Sequence, residues 1–247
     1  MDNTREIILH NHIYKNAGTS IDLVFENSNI FVTNIENENF LGVSEHDISQ
    51  IIRANPSLEV ITSHTLLKDA PLDTPDIRYI DLLCIRHPIN RLLSMYKYEI
   101  KGKKKYSFLD FINVCIKSRP YDYFSCQTTR LGAFGQFYFP PNEMIFDLAV
   151  SRILKCRFLM TVEQLKIGFQ TFKKLNPTLK ISRKIYIPDV IRIENSSFKD
   201  LFNDEAKRHA LKNEIGDDRY NKILLDNNWD VELYEAASKE LLRRYFA

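Results

Sequence analysis

The sequence predicts an α/β fold, a parallel sheet flanked by helices on both faces. Short apolar runs bounded by turn residues recur at 7–9, 60–62, 79–85 and 157–162, as expected of strands buried on both sides. Stretches of helical periodicity separate them, and parallel strands need such crossovers. The chain's 247 residues, 44% of them hydrophobic and 27% charged, suffice for one sizeable core under an ordinary surface. The expected organisation is a single domain over 1–247, with a helical C-terminal part from about 199 packed on it.

The first strand leads into the most informative segment, residues 7–25, IILHNHIYKNAGTSIDLVF. Ile7, Ile8, Leu9 and Ile13 read as a buried strand, followed by a polar loop, Tyr14-Lys15-Asn16-Ala17-Gly18-Thr19-Ser20. A helix then starts with Ile21, Val24 and Phe25 on one face. This is an anion cradle in outline. The first N–H groups of a helix lack internal partners, its dipole adds partial positive charge, and Lys15 supplies a full one. Gly18 permits close backbone approach, and Thr19 and Ser20 add hydroxyls. An ordinary strand–turn–helix with a surface lysine would read the same way. Ala17 fits such a loop only if its backbone stays outside the left-handed region.

The run YIDLLCIRHP ends in Arg86 and breaks at Pro88, a natural first residue for a helix. Ligands of open parallel sheets gather beyond the carboxyl ends of strands, so Arg86 is expected at the same edge as Lys15. In the following helix Leu92, Leu93, Tyr96 and Ile100 form the expected apolar stripe, with Arg91, Ser94 and Tyr98 opposite. Arg86 offers a planar fork of donors and Ser94 a hydroxyl, together a second phosphate-sized site. A salt-bridged Arg86 and a solvated Ser94 are the plain alternative.

Residues 107–118 (SFLDFINVCIKS) predict a helix capped by Ser107, with Phe108, Phe111, Ile112 and Cys115 on one stripe. Prolines at 71, 75, 140 and 141 mark loops. Residues 176–200 lean towards β at 185–187 and towards loop at 194–197. Residues 230–246 read as a helix packing back through Val231, Tyr234, Leu241 and Tyr245, with Asp230 as its cap. Cys84, Cys115, Cys126 and Cys156 show neither C-x-x-C nor metal-ligand spacing and are expected to be reduced.

A net charge of +2 and a single tryptophan provide no basic, aromatic-lined surface, so nucleic-acid binding is not expected. No leading basic-plus-apolar segment and no apolar run of bilayer length is present. The expected location is therefore cytoplasmic, with no membrane segment.

Two anion sites at neighbouring strand ends fit a nucleotide with phosphate on both sides of its ribose. HIYKNAGTS resembles the H-I-P-K-x-x-G-T-S phosphosulfate loop of the sulfotransferases, particularly their carbohydrate (heparan-type) branch. IRHPINRLLSMYKY is similar to their 3′-phosphate motif V-R-D-P-x-x-R-x-x-S-x-Y. CQTTRLGAF, FLMTVEQL and DNNWDVELYEAA resemble N-x-Q-T-R-x-L-x-G, F-x-G-x-T-E-x-L and N-x-x-D-x-x-L-Y-x-x-A, in the family's order over nearly the whole chain. Tyr14 stands in place of the usual proline, Asn16 and Ala17 in place of small or glycine residues, and His87 in place of an acidic residue.

The resemblance implies a P-loop-NTPase-like sheet and 3′-phosphoadenosine 5′-phosphosulfate as donor, with no metal. Lys15 would stabilise charge on the bridging oxygen. Asn16, Ala17, Gly18, Thr19 and Ser20 would hold the 5′-phosphate, and Arg86 and Ser94 the 3′-phosphate, with Ser196 of the ENSS loop as an additional contact. His64, just past the second run in VITSHTLL, resembles the histidine that heparan-type enzymes use as base, and imidazole suits that role near neutrality. A loop histidine bonded to a carbonyl is the alternative, and Glu99 a fallback base. His12 reads as structural, steadying the turn. His10 and His46 have no supporting context.

The implied partner is a hydroxyl-bearing acceptor, most simply a glycan. Gln127 and Arg130 are acceptor contacts by position, and the basic run at 101–105 either binds an acidic polymer or is simply solvated. A P-loop kinase-like protein is one rival. It needs lysine after the second glycine and an acidic strand end for Mg²⁺, whereas here lysine precedes Gly18 and the strand ends in arginine. A catalytically silent binding module is the other.

Overall fold

The computed structural model describes residues 4–35, 43–64, 66, 74–100, 106–133, 141–189, 191 and 204–247. Chain order runs β1 (Arg5–Asn11), α1 (Gly18–Asn27), β2 (Val32–Asn34), α2 (Glu45–Ala54), β3 (Val60–Ser63), β4 (Ile77–Ile85) and α3 (Pro88–Glu99). It continues through α4 (Phe108–Ser118), α5 (Pro120–Tyr123), α6 (Cys126–Gly132), α7 (Glu143–Lys155) and β5 (Phe158–Thr161). The helices α8 (Leu165–Leu175), α9 (Lys180–Lys184), α10 (Asp204–Ile215), α11 (Asp217–Asp226) and α12 (Asn228–Phe246) complete it.

Among the described residues five strands pair in parallel in the order β2-β3-β1-β4-β5, so the α/β expectation holds. Alternation along the strands assigns the two faces. Ile8, Ile80, Leu82, Cys84, Phe158 and Met160 pack with α1 and α8 residues such as Phe25 and Phe169. Ile7, Leu9, Ile61 and Tyr79 turn the other way, onto Ile48 and Ile52 of α2. Leu83, Ile85 and Leu159 meet α7 and α12 through Ile153 and Leu233. A further helical cluster of α3, α4, α10 and α11 residues, including Leu92, Phe111, Leu211 and Ile223, packs separately.

The connection leaving β1 runs to one side of the sheet and the one leaving β4 to the other. The crevice beyond their carboxyl ends is thus a topological switch point, where open sheets bind ligands.

Several sequence expectations change. β2 was not foreseen, because a three-residue edge strand, half-buried to exposed, has no apolar run. Residues 185–187 form no strand and follow the short helix α9. Arg91 does not face outward. It is fully buried, donating to the carbonyl of Asp122 at 2.6 Å and approaching Met95 Sδ at 3.1 Å, because α3 packs on more than one side. Asp230 is not the cap of its own helix, whose N-cap is Asn227. Its carboxylate instead accepts from the N–H groups of Gln127 (3.1 Å) and Thr128 (2.8 Å), capping α6 about a hundred residues away. Ser107 does cap α4, in a reciprocal box with Asp110. All four cysteines are buried and free. Among the described residues no helix is long and apolar enough to cross a membrane.

Candidate active site

The first candidate anion site is built where β1 gives way to α1. Helix α1 has Ala17 at its N-cap, with no side-chain cap and no acidic residue in its first turn. Its first intrahelical bond runs from Ile21 N–H to the Ala17 carbonyl (3.0 Å), so the N–H groups of Gly18, Thr19 and Ser20 precede the helical ladder. A helix start with no side-chain cap at its N-cap is suited to an external anion.

The loop before it is strained. Lys15 (φ 67°) and Ala17 (φ 61°) both occupy the left-handed region, against the expectation for Ala17, at a cost of about 1–2 kcal/mol for each such residue. Asn16 between them provides an anchor. Its Nδ2 donates to the Cys84 carbonyl and to Gln127 Oε1, both at 2.7 Å, and its N–H donates to the Ile13 carbonyl at 3.0 Å. Asn16 is therefore turned into the protein and not brought to the cleft.

Gly18 is required by proximity. A Cβ there would lie 1.8 Å from His12 Nε2, so the histidine ring occupies the space of any side chain. That ring stacks on His10 (centroids 5.3 Å apart) and leans on His64 (4.0 Å). Burial, then the neighbouring His10, His64 and Lys15, push its pKa down to about 2, so it is a neutral packing group. His10, buried beneath, lies 3.3 Å from Asp22 Oδ1 and 3.1 Å from Thr62 Oγ1.

The second site forms at the end of β4. Arg86 is only 8% exposed, its Nη1 donates to the Lys15 carbonyl at 2.9 Å, and its buried Nε has no partner. Burial disfavours its charge, while Glu163 and Asp204 favour it. Its backbone is clamped by Gln127, whose Oε1 accepts from Arg86 N–H (2.8 Å) and whose Nε2 donates to the Arg86 carbonyl (2.7 Å). Since Oε1 also accepts from Asn16, Gln127 joins the two loops at the switch point. It is fully buried and cannot touch an acceptor, contrary to expectation.

One cleft of about 180 Å³ unites these parts. The loop contributes Tyr14, Lys15, Ala17, Gly18, Thr19 and Ser20, the strand ends His12, His64 and Arg86, and α3 contributes Ser94 and Tyr98. His64 Nδ1 lies 2.5 Å from the His12 carbonyl oxygen. A carbonyl only accepts, so Nδ1 carries the proton, leaving the lone pair of the neutral ring on Nε2. Arg130 Nη1 donates to the His64 carbonyl at 3.0 Å, steadying the same turn. Glu99, the fallback base, is held by both terminal nitrogens of Arg119 (3.0 and 2.6 Å). Tyr14 and Tyr98 also line the cleft; the sequence places Tyr14 in the loop and Tyr98 on the Ser94 side of α3 but gives neither a role. Ser196 and the basic run at 101–105 lie outside the described residues.

A larger cavity, about 370 Å³, lies beside β1 and α2 and is lined by Asn11, His46, Asp81 and Arg152 among others. None of the candidate anion-binding or base residues reaches it. Among the described residues no group of three His, Cys, Asp or Glu side chains gathers as a metal site would require.

Residues 1–143 match the model of a family described as the sulfotransferase family. The chain is also 27% identical over 248 residues to an uncharacterized protein of Archaeoglobus fulgidus, covering 94% of this chain and 95% of the relative.

Proposed function

The chain belongs to the sulfotransferase family, and on that premise we propose that it transfers a sulfuryl group from 3′-phosphoadenosine 5′-phosphosulfate to a carbohydrate hydroxyl. One observation carries this reading. An uncapped helix start, a lysine, and a buried arginine with an unpartnered Nε share a single cleft with Ser94. A buried guanidinium with an idle donor suits an anion of fixed position, and a second cationic group across the cleft suits a second one.

The donor brings an activated sulfuryl group and a stable bisphosphate leaving group. The N–H groups of Gly18, Thr19 and Ser20, with the Thr19 and Ser20 hydroxyls, hold its 5′ end. Arg86 and Ser94 hold the 3′-phosphate. Asn16 supports them from beneath instead of binding. His64 Nε2 takes the proton of the acceptor hydroxyl as that oxygen bonds to sulfur, and Lys15 stabilises negative charge on the departing oxygen. The chemistry is positioning plus electrostatics, with no covalent enzyme intermediate, as in phosphoryl transfer. Removing one fixed charge or donor of this kind costs on the order of a hundredfold in rate.

The test is transfer of radiolabelled sulfate from the donor to a panel of glycans. The account expects label in at least one glycan and near-complete loss of turnover in Lys15→Ala and His64→Ala, with circular dichroism unchanged. Near-full activity in His64→Ala would remove the base assignment. Donor binding without label in any acceptor would favour a silent module.

A further inference from the structure

We propose that Tyr98 is a positioning residue that holds the Lys15 ammonium in the cleft through its ring; this rests on the role of Lys15 given above. Lys15 Nζ lies 4.0 Å from the centroid of the Tyr98 ring and 5.6 Å from that of Tyr14. The two rings meet edge to face, 6.3 Å apart at 82°, so the ammonium faces an aromatic corner. Tyr98 lies one helical turn after Ser94 on α3, and both line the cleft. It also falls two residues after Tyr96, the last defined position of the 3′-phosphate motif, so that motif gives it no role.

Tyr98 is 54% exposed, unlike the helix's core residues Ile89, Leu92 and Met95, so packing of the fold does not account for it. A lysine ammonium on four rotatable bonds is mobile unless held. A carboxylate would hold it but cancel its charge. An aromatic face holds it and leaves the charge available to a developing anion. Tyr14 stays a neutral phenol, its pKa pushed up to about 12 by burial and then by Glu99 and Tyr98.

Loss of one such ring contact at a partly exposed site corresponds to about a three- to tenfold effect. Two measurements on the full chain test the proposal. In protein carrying ¹³C-lysine, with the Lys15 signal assigned through Lys15→Arg, the ε-methylene resonance is expected upfield of the other lysines because it faces a ring. It should stay there in Tyr98→Phe and return to the common position in Tyr98→Leu. In the transfer assay, Tyr98→Leu should lower kcat about three- to tenfold, with KM for the donor within about twofold, while Tyr98→Phe keeps wild-type kcat. An unshifted Lys15 signal in the wild type overturns the proposal. So does a shifted signal with unchanged kcat in Tyr98→Leu. If the wild type transfers no sulfate, the proposed function fails, and the resonance arm still decides whether Tyr98 holds Lys15.

Discussion

Gly18→Ala probes the packing beneath the cleft. The new Cβ would stand 1.8 Å from His12 Nε2 and 2.1 Å from Cδ2 and Cε1. Comfortable carbon contacts begin near 3.5 Å, so the ring must retreat by about 1.5 Å. It has little room, with His10 stacked on it and His64 leaning on it at 4.0 Å. Overpacking of this kind costs about 1–3 kcal/mol. The displaced ring also drags the backbone carbonyl that orients His64, the proposed base, where an ångström of misplacement would cost about a hundredfold in rate. Urea unfolding of Gly18→Ala, His12→Ala and the double variant reads the effect directly. Removing the ring makes room for the methyl group, so the double variant should be about 2 kcal/mol more stable than the two single losses imply. Additive losses, or Gly18→Ala within about 0.5 kcal/mol of wild type, would refute the packing argument.

Other perturbations reach the same architecture from different sides. In Gln127→Glu the Nε2 donor to the Arg86 carbonyl and Asp230 becomes an acceptor facing acceptors; urea unfolding should show a loss of about 3–5 kcal/mol, as for an uncompensated buried charge, and a loss under 1 kcal/mol would show that the network can relax. Ala17→Gly relieves left-handed strain at φ 61° but loosens the unfolded chain, so a net gain of up to about 1 kcal/mol is expected in thermal unfolding. His12 and His87 have pKa values pushed down by burial to about 2 and about 3 from 6.5. Below pH 6.5 the unfolded chain takes up protons that the native rings refuse, so stability is full above pH 6.5 and falls as pH drops. The slope is about 1.4 kcal/mol per pH unit for each ring, and His87→Gln should halve it in denaturation series from pH 6.5 to 5.

The parts of the fold that the sequence disclosed are those governed by local pattern. Strands buried on two faces are continuous apolar runs, which is why β1, β3, β4 and β5 stand near their expected positions while the edge strand β2, with the sequence VTN, does not. Ser107 caps the helix that follows it because capping is local. Asp230 has the right chemistry for a cap but serves α6, and no local rule reaches across that separation. Arg91 fell on the polar side of a one-faced helix, whereas α3 is packed on more than one. At the site, Lys15, Arg86, Ser94 and His64 were legible because strand ends of a parallel sheet converge on one edge. Asn16, expected at the 5′-phosphate, and Gln127, expected at the acceptor, instead tie one loop to another across more than a hundred residues, a partnership no local pattern announces. Ala17 takes the left-handed conformation next to the anchored Asn16, against the expectation that an alanine would avoid it.

The claim on which the rest depends is that Lys15 and Arg86 clasp opposite ends of one doubly phosphorylated nucleoside. Calorimetric titration of adenosine 3′,5′-bisphosphate, adenosine 5′-phosphate and ATP into the wild type and Arg86→Ala tests it. The account predicts clear preference for the bisphosphate over both competitors, with Arg86→Ala lowering its affinity at least about tenfold, or ~1.4 kcal/mol, and leaving adenosine 5′-phosphate nearly unchanged. Equal binding of ATP and the bisphosphate, or no effect of Arg86→Ala on the difference between mono- and bisphosphate, would contradict it.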